Sequence, residues 1–122
     1  MYTSNNFTSD LMNSYAWDTA ITFIQDCTDK TNYANQPSLN KSLSQTGTNT
    51  LTETNKIDKQ CNVYDMASNI YEWTTETSSN SDFPCVDRGG SCDYRGLYTS
   101  YRLNDVTSSS DLGIGFRPLL YL

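Results

Sequence analysis

The sequence predicts a small α+β domain, and three observations carry that expectation. Apolar residues recur at helical spacing between residues 9 and 26. From Cys61 onward, aromatic and β-branched residues gather in short runs separated by polar and glycine-rich turns. The stretch between them carries neither signature. The expected architecture is one N-terminal helix packed on a small, twisted, mostly antiparallel sheet with long irregular loops.

The helix is expected over residues 9–26. Ser9 can cap its start, and Asp10 suits the positive end of the helix dipole. Met12, Ala16, Ala20, Phe23 and Ile24 form the apolar stripe, with Leu11, Tyr15 and Trp17 beside it. Residues 38–60 lack aromatic residues and are dominated by Ser, Thr, Asn, Lys and Gln, which is loop composition. A connection of that length is uncommon in a compact domain, so it reads as a surface excursion. Residues 70–74, Ile-Tyr-Glu-Trp-Thr, read as a strand, and 78–82 as a polar turn. Residues 86–91 form a short strand broken by Gly89-Gly90, where a bulge or close backbone approach is expected. Residues 92–113 read as irregular. Residues 114–121 read as a final strand, with Pro118 near an edge or bulge.

The 122 residues fit one domain, 1–122, burying roughly two-thirds of its unfolded surface. That leaves little room for a deep catalytic cleft. A net charge of -6 and a pI near 4.3 repel phosphate, so neither nucleic acid nor an anionic membrane is expected as a partner. No run is long and apolar enough for membrane insertion. Residues 1–10 have no basic or apolar region, so no signal peptide is expected there. The domain could also be the C-terminal part of a longer secreted or virion protein. Nine Tyr give a polar chain an aromatic character suited to recognition surfaces. Cys27, Cys61, Cys85 and Cys92 are spaced too widely for a Cys-x-x-Cys metal or redox site, and there is no His. Four Cys permit three full pairings, among which sequence cannot choose; reduced buried thiols and at least one disulfide both stand open, with Cys92 expected unpaired.

Three motifs occur in order: residues 62–73 (Asn-Val-Tyr-Asp-Met-Ala-Ser-Asn-Ile-Tyr-Glu-Trp), Arg88-Gly89-Gly90-Ser91, and Gly115-Phe116-Arg117-Pro118. The set resembles the formylglycine-generating-enzyme (sulfatase-modifying factor) family, which implies a C-type-lectin-like fold. The resemblance covers residues 61–122; the first 60 share only a Trp-bearing helix. The catalytic cysteine pair of those enzymes falls on Tyr94 and Thr99 here, and neither can act as a thiolate. The chain is therefore expected not to be an enzyme.

A second group with this fold is similar in kind, the variable proteins of diversity-generating retroelements. Their Arg-Gly-Gly-Ser and Gly-Phe-Arg brackets enclose a hypervariable stretch made by mutating adenines. Asn codons ending in C thereby become codons with any first two bases, and those cannot encode Lys, Glu, Gln, Met or Trp. Residues 86–122 contain none of the five, whereas residues 1–85 contain 16. The resemblance implies a variable binding region over 86–118 that recognises a protein or surface receptor, on a phage virion or bacterial cell surface. Its display residues would be Cys92, Tyr94, Arg95, Leu97, Tyr98, Ser100, Tyr101, Leu103, Asn104, Asp105, Ser108, Ser109, Ser110, Asp111 and Leu112. Aromatic and aliphatic anchors among adaptable polar groups are what a paratope needs. Asp93, Gly96, Thr99, Arg102 and Thr107 read as scaffold.

The enzyme family also implies calcium on side chains matching Asp65 and Glu72 and on carbonyls matching Ser68 and Ile70. Hard oxygen ligands suit that ion, although Ser68 stands where the family usually has Gly. The expected core comprises Trp17, Ile70, Met66, Trp73, Phe116 and Leu119. The alternative functions are a formylglycine-generating enzyme and a carbohydrate-binding lectin. The Glu-Pro-Asn and Trp-Asn-Asp motifs of calcium-dependent sugar binding are absent.

Overall fold

A computed structural model describes residues 2–3, 8–37, 58–91, 97–109, 111 and 113–121. They form a small α+β domain with one α-helix and mostly antiparallel sheets. In chain order the elements are β1 (Tyr2–Thr3), β2 (Thr8–Leu11), α1 (Ser14–Cys27) and a 3-10 turn (Tyr33–Asn35). There follow β3 (Lys59–Gln60), β4 (Val63–Tyr64), β5 (Tyr71–Thr77) and β6 (Cys85–Arg88). The last three are β7 (Arg102–Asp105), β8 (Ile114–Phe116) and β9 (Pro118–Tyr121).

The helix begins at Ser14, five residues later than residue 9. Residues 8–11 are drawn into β2, where Asp10 faces Leu119 and Leu11 faces Pro118 of β9. Asn13, not Ser9, caps the helix: its side-chain oxygen accepts from the Ala16 N–H at 2.9 Å. The buried stripe is Trp17, Ile21 and Ile24, with Ala16 and Ala20 partly covered. Phe23 falls off that stripe and is exposed. Met12, Tyr33, Met66 and Ala67 complete the core around the helix.

The main sheet has the order β7-β6-β5-β8, with β5 and β8 parallel and the other pairs antiparallel. A register shift between Trp73 and Thr77 marks the bulge where β5 outruns β6. The expected final strand is two. β8 pairs with β5, and after Arg117 the chain crosses to pair β9 with β2 in a second sheet, β1-β2-β9. Pro118, with no N–H to donate, stands first in β9. The stretch read as irregular contains β7, whose register sets Arg102 against Arg88 and Leu103 against Asp87.

Among the expected core residues, Trp17 and Met66 are buried, whereas Trp73, Ile70 and Leu119 are only partly so. Phe116 is 68% exposed, which corrects its assignment to the core and departs from the family resemblance at that motif. It lies on the edge strand β8, beside Trp73, on the sheet face turned away from the helix. Cys27, Cys61 and Cys85 are free thiols; Cys92 lies outside the described residues.

Candidate functional site

Two arginines, Arg88 buried and Arg117 half-buried, stand at the ends of the stretch expected to bind. Arg88 closes β6 with a fully buried side chain. It bonds Asp18 at 2.5 Å and Ser14 at 3.1 Å, reaches Glu76 at 3.6 Å, and stands 5.8 Å from the Trp17 ring. Gly89 follows with φ +94°, and a Cβ there would meet the Met66 carbonyl at 2.9 Å and the Trp17 ring at 3.0 Å. Glycine is required at this turn on both counts. At the other end Gly115 is packed against Ile70, and Arg117 follows. The Arg117 guanidinium donates to both Glu72 oxygens, at 2.8 and 2.7 Å, and to the Tyr64 carbonyl at 2.8 Å.

Strand alternation sorts the residues between these ends. Arg102 turns toward the helix side, where it pairs with Glu76 at 3.1 Å and Asp18 at 3.3 Å. Leu103 and Asp105 turn to the other face. There they line a concavity of about 490 Å³ with Tyr71, Ser91, Ser109, Asp111, Gly113 and Ile114. Four expected display residues are therefore brought together: Leu103, Asp105, Ser109 and Asp111. Tyr98 and Ser100 lie elsewhere, against the 33–37 turn, and the Tyr101 carbonyl accepts the Gly89 N–H at 3.3 Å. Tyr98 bridges Pro37, and the Ser100 N–H donates to the Ala34 carbonyl at 3.0 Å. Tyr98 is 45% exposed; Leu97, Ser100 and Tyr101 are half-buried. Asn104 and Ser108 are exposed but do not line the concavity. Cys92, Tyr94, Arg95, Ser110 and Leu112 lie outside the described residues, as do Asp93 and Gly96.

Thr99, expected as scaffold, is buried. It donates its N–H to the Gln36 carbonyl at 3.1 Å and accepts the Trp17 indole N–H at 3.0 Å. Thr107, also read as scaffold, is exposed. Sequence reasoning missed Asp87, which is buried with neither carboxylate oxygen hydrogen-bonded. Burial first, and then the charge of Asp105, push its carboxyl up to about 7. Its only signal in the sequence is an acid next to Val86 in a short strand.

The turn expected to hold calcium is arranged around hydrogen bonds. Asp65 and Asn69 both adopt positive φ, and Asp65 Oδ1 accepts from the Ser68 hydroxyl at 3.3 Å. Asp65 Oδ2 is buried without a partner, and burial raises that carboxyl. Glu72, however, gives both oxygens to Arg117, so the pair as arranged offers a cation one free side-chain oxygen. Burial outweighs Arg117 in raising the Glu72 carboxyl. The neighbouring Asp58, not singled out from the sequence, accepts the Tyr33 hydroxyl at 2.8 Å and the Ala67 N–H at 2.6 Å. It ties the 3-10 turn to the turn after β4.

No protein-family model, curated protein or solved structure matches the chain.

Proposed function

We propose that this chain is a non-catalytic ligand-display domain with a C-type-lectin-like fold, of the kind made variable by a retroelement. It would present residues 86–118 to a protein or surface receptor from a phage virion or bacterial cell surface. The observation that supports this best is the convergence of Leu103, Asp105, Ser109 and Asp111 on one concavity. They come from β7 and from the connection after it. The two flanking motifs, meanwhile, are held by the ion pairs of the buried Arg88 with the half-exposed Asp18 and of the half-buried Arg117 with Glu72. A surface meant to vary needs its ends held by residues that do not. The concavity mixes the Tyr71 ring and aliphatic walls with hydroxyls and carboxylates, a composition suited to recognition.

The test is a library randomised at Leu103, Asn104, Asp105, Ser108, Ser109 and Asp111, scored for protease resistance and then selected against a target protein. Most members should remain folded and some should bind. A library that is largely unfolded would overturn the reading. In the source genome, a reverse transcriptase gene beside a near-copy of the codons for residues 88–118 is expected.

A further inference from the structure

Beneath the concavity the sheet carries an unbalanced charge. Asp87 lies across from Leu103 on β6, two residues from Cys85, which faces Asp105. Antiparallel alternation thus puts Asp87 and Asp105 on the same sheet face, and their charges interact. Asp105 and Asp111 line the opening itself. Asp87 lies behind its wall, fully buried, with both oxygens unbonded. A buried carboxylate without a partner is costly, and one beside a second carboxylate more so. The described arginines nearby are committed elsewhere: Arg88 and Arg102 to Asp18 and Glu76, Arg117 to Glu72. Asp105 Oδ1 accepts the Val106 N–H and Asp111 Oδ1 the Gly113 N–H, which leaves the second oxygen of each without a hydrogen bond among the described residues.

We propose that this concavity takes the cationic end of a basic side chain of the partner, a guanidinium or ammonium, contacted by Asp105 and reinforced by the charge of Asp87 behind it. The proposal rests on the display reading and names the chemistry that the surface selects. Tyr71, Leu103 and Ile114 supply apolar walls for the methylene stem of such a side chain while its head meets carboxylate. Asp87 is a positioning residue: it does not touch the ligand, but its field acts in a poorly solvated place where charge is weakly screened. Among the described residues, the titratable groups on this face are Asp105 on β7, Asp111 in the following connection, Tyr71 on β5, and Cys85 on the same strand as Asp87.

The experiment is a titration of the protein with N-acetyl-argininamide, followed by amide NMR shifts, with neutral N-acetyl-citrullinamide as control. The arginine compound should shift the Leu103, Asp105 and Gly113 amides saturably, and the citrulline compound should not. Asp105→Asn, which keeps an acceptor for Val106, should weaken binding about tenfold. Asp87→Asn should weaken it several-fold with a native spectrum. Affinity for the wild type should fall as pH drops below about 7, the value for Asp87, and that dependence should shrink in Asp87→Asn. Equal shifts from both compounds, no saturable shift, or an unchanged affinity in Asp87→Asn would each overturn the proposal. So would magnesium or calcium shifting the same amides while the arginine compound does not. A library that folds while the wild type ignores N-acetyl-argininamide would sink this proposal and leave the display reading standing. Binding by the wild type with a library that fails to fold would do the reverse.

Discussion

The indole N–H of Trp17 donates to the carbonyl of Thr99 at 3.0 Å across 82 residues of sequence. One hydrogen bond thereby joins the first turn of the helix to the segment leading into β7. Trp17→Phe keeps most of the ring but leaves a buried carbonyl unsatisfied, and should cost about 1–3 kcal/mol. Trp17→Ala should cost roughly 3–5 kcal/mol through the cavity it opens. Urea melts of both variants would measure this. A Trp17→Phe cost near zero would mean that ring volume, not the link to Thr99, is what matters.

Glu72 and Arg117 form a two-pronged pair with little exposure on either side. Glu72→Gln leaves the guanidinium without a counter-charge and should destabilise by about 2–4 kcal/mol, since Arg117 keeps some contact with water. Because both Glu72 oxygens are engaged, calcium and chelator should leave the melting temperature unchanged. A rise with calcium concentration would show a cation displacing Arg117 and would restore the metal to this turn.

Asp87 makes stability depend on pH in an unusual direction. Its carboxyl rises from an ordinary 3.8 to about 7 on folding. Between those values the folded protein holds a proton that the unfolded chain has released. Its contribution to stability is therefore largest at low pH and is lost as pH rises toward 7. Between pH 5 and 7.5 the wild type should lose about 1–3 kcal/mol more than Asp87→Asn. Urea melts at the two values decide it, and parallel losses would place the proton elsewhere.

Tolerance should divide along exposure. Tyr98→Ser, Asn104→Ala and Ser108→Ala should each change stability by no more than about 0.5 kcal/mol. Leu103 is half-buried, so Leu103→Ser should cost about 1–2 kcal/mol. Gly89→Ala should cost more, about 1–3 kcal/mol, because its positive φ and the Met66 carbonyl both resist a Cβ. Protease-resistance half-lives would rank these variants, and a fragile Ser108→Ala would contradict the division.

What could be read from the sequence was what depends on local pattern. Helical spacing located the helix, and β-branched and aromatic content located β5 and β6. Its start was misplaced because Leu11 and Asp10 serve β9, a partner more than a hundred positions away. The Arg102–Asp105 strand was missed for a similar reason. Its alternation of exposed and half-buried residues reflects two faces of a sheet that only β6 defines. Phe116 was assigned to the core by motif, but its edge-strand position leaves it exposed. Four residues that line the concavity were among those named from the sequence. Tyr71, Ile114 and the buried Asp87 were not, because strand pairing, not sequence order, brings them there.

The crossing after Arg117 also has a mechanical meaning. Thr8 faces Tyr121 and Leu11 faces Pro118, so β2 and β9 run antiparallel with the outer ends of both strands together. Tension drawing those two ends apart loads the ladder one rung at a time, as in opening a zipper, and such a ladder yields to small forces. A pull exerted between one end and the concavity has to travel through the Met12–Arg117 backbone bond and the Glu72 pair into the main sheet. There the load is shared among several strands. A domain tethered at one end and gripping its ligand at the other would meet force along this second, stiffer path.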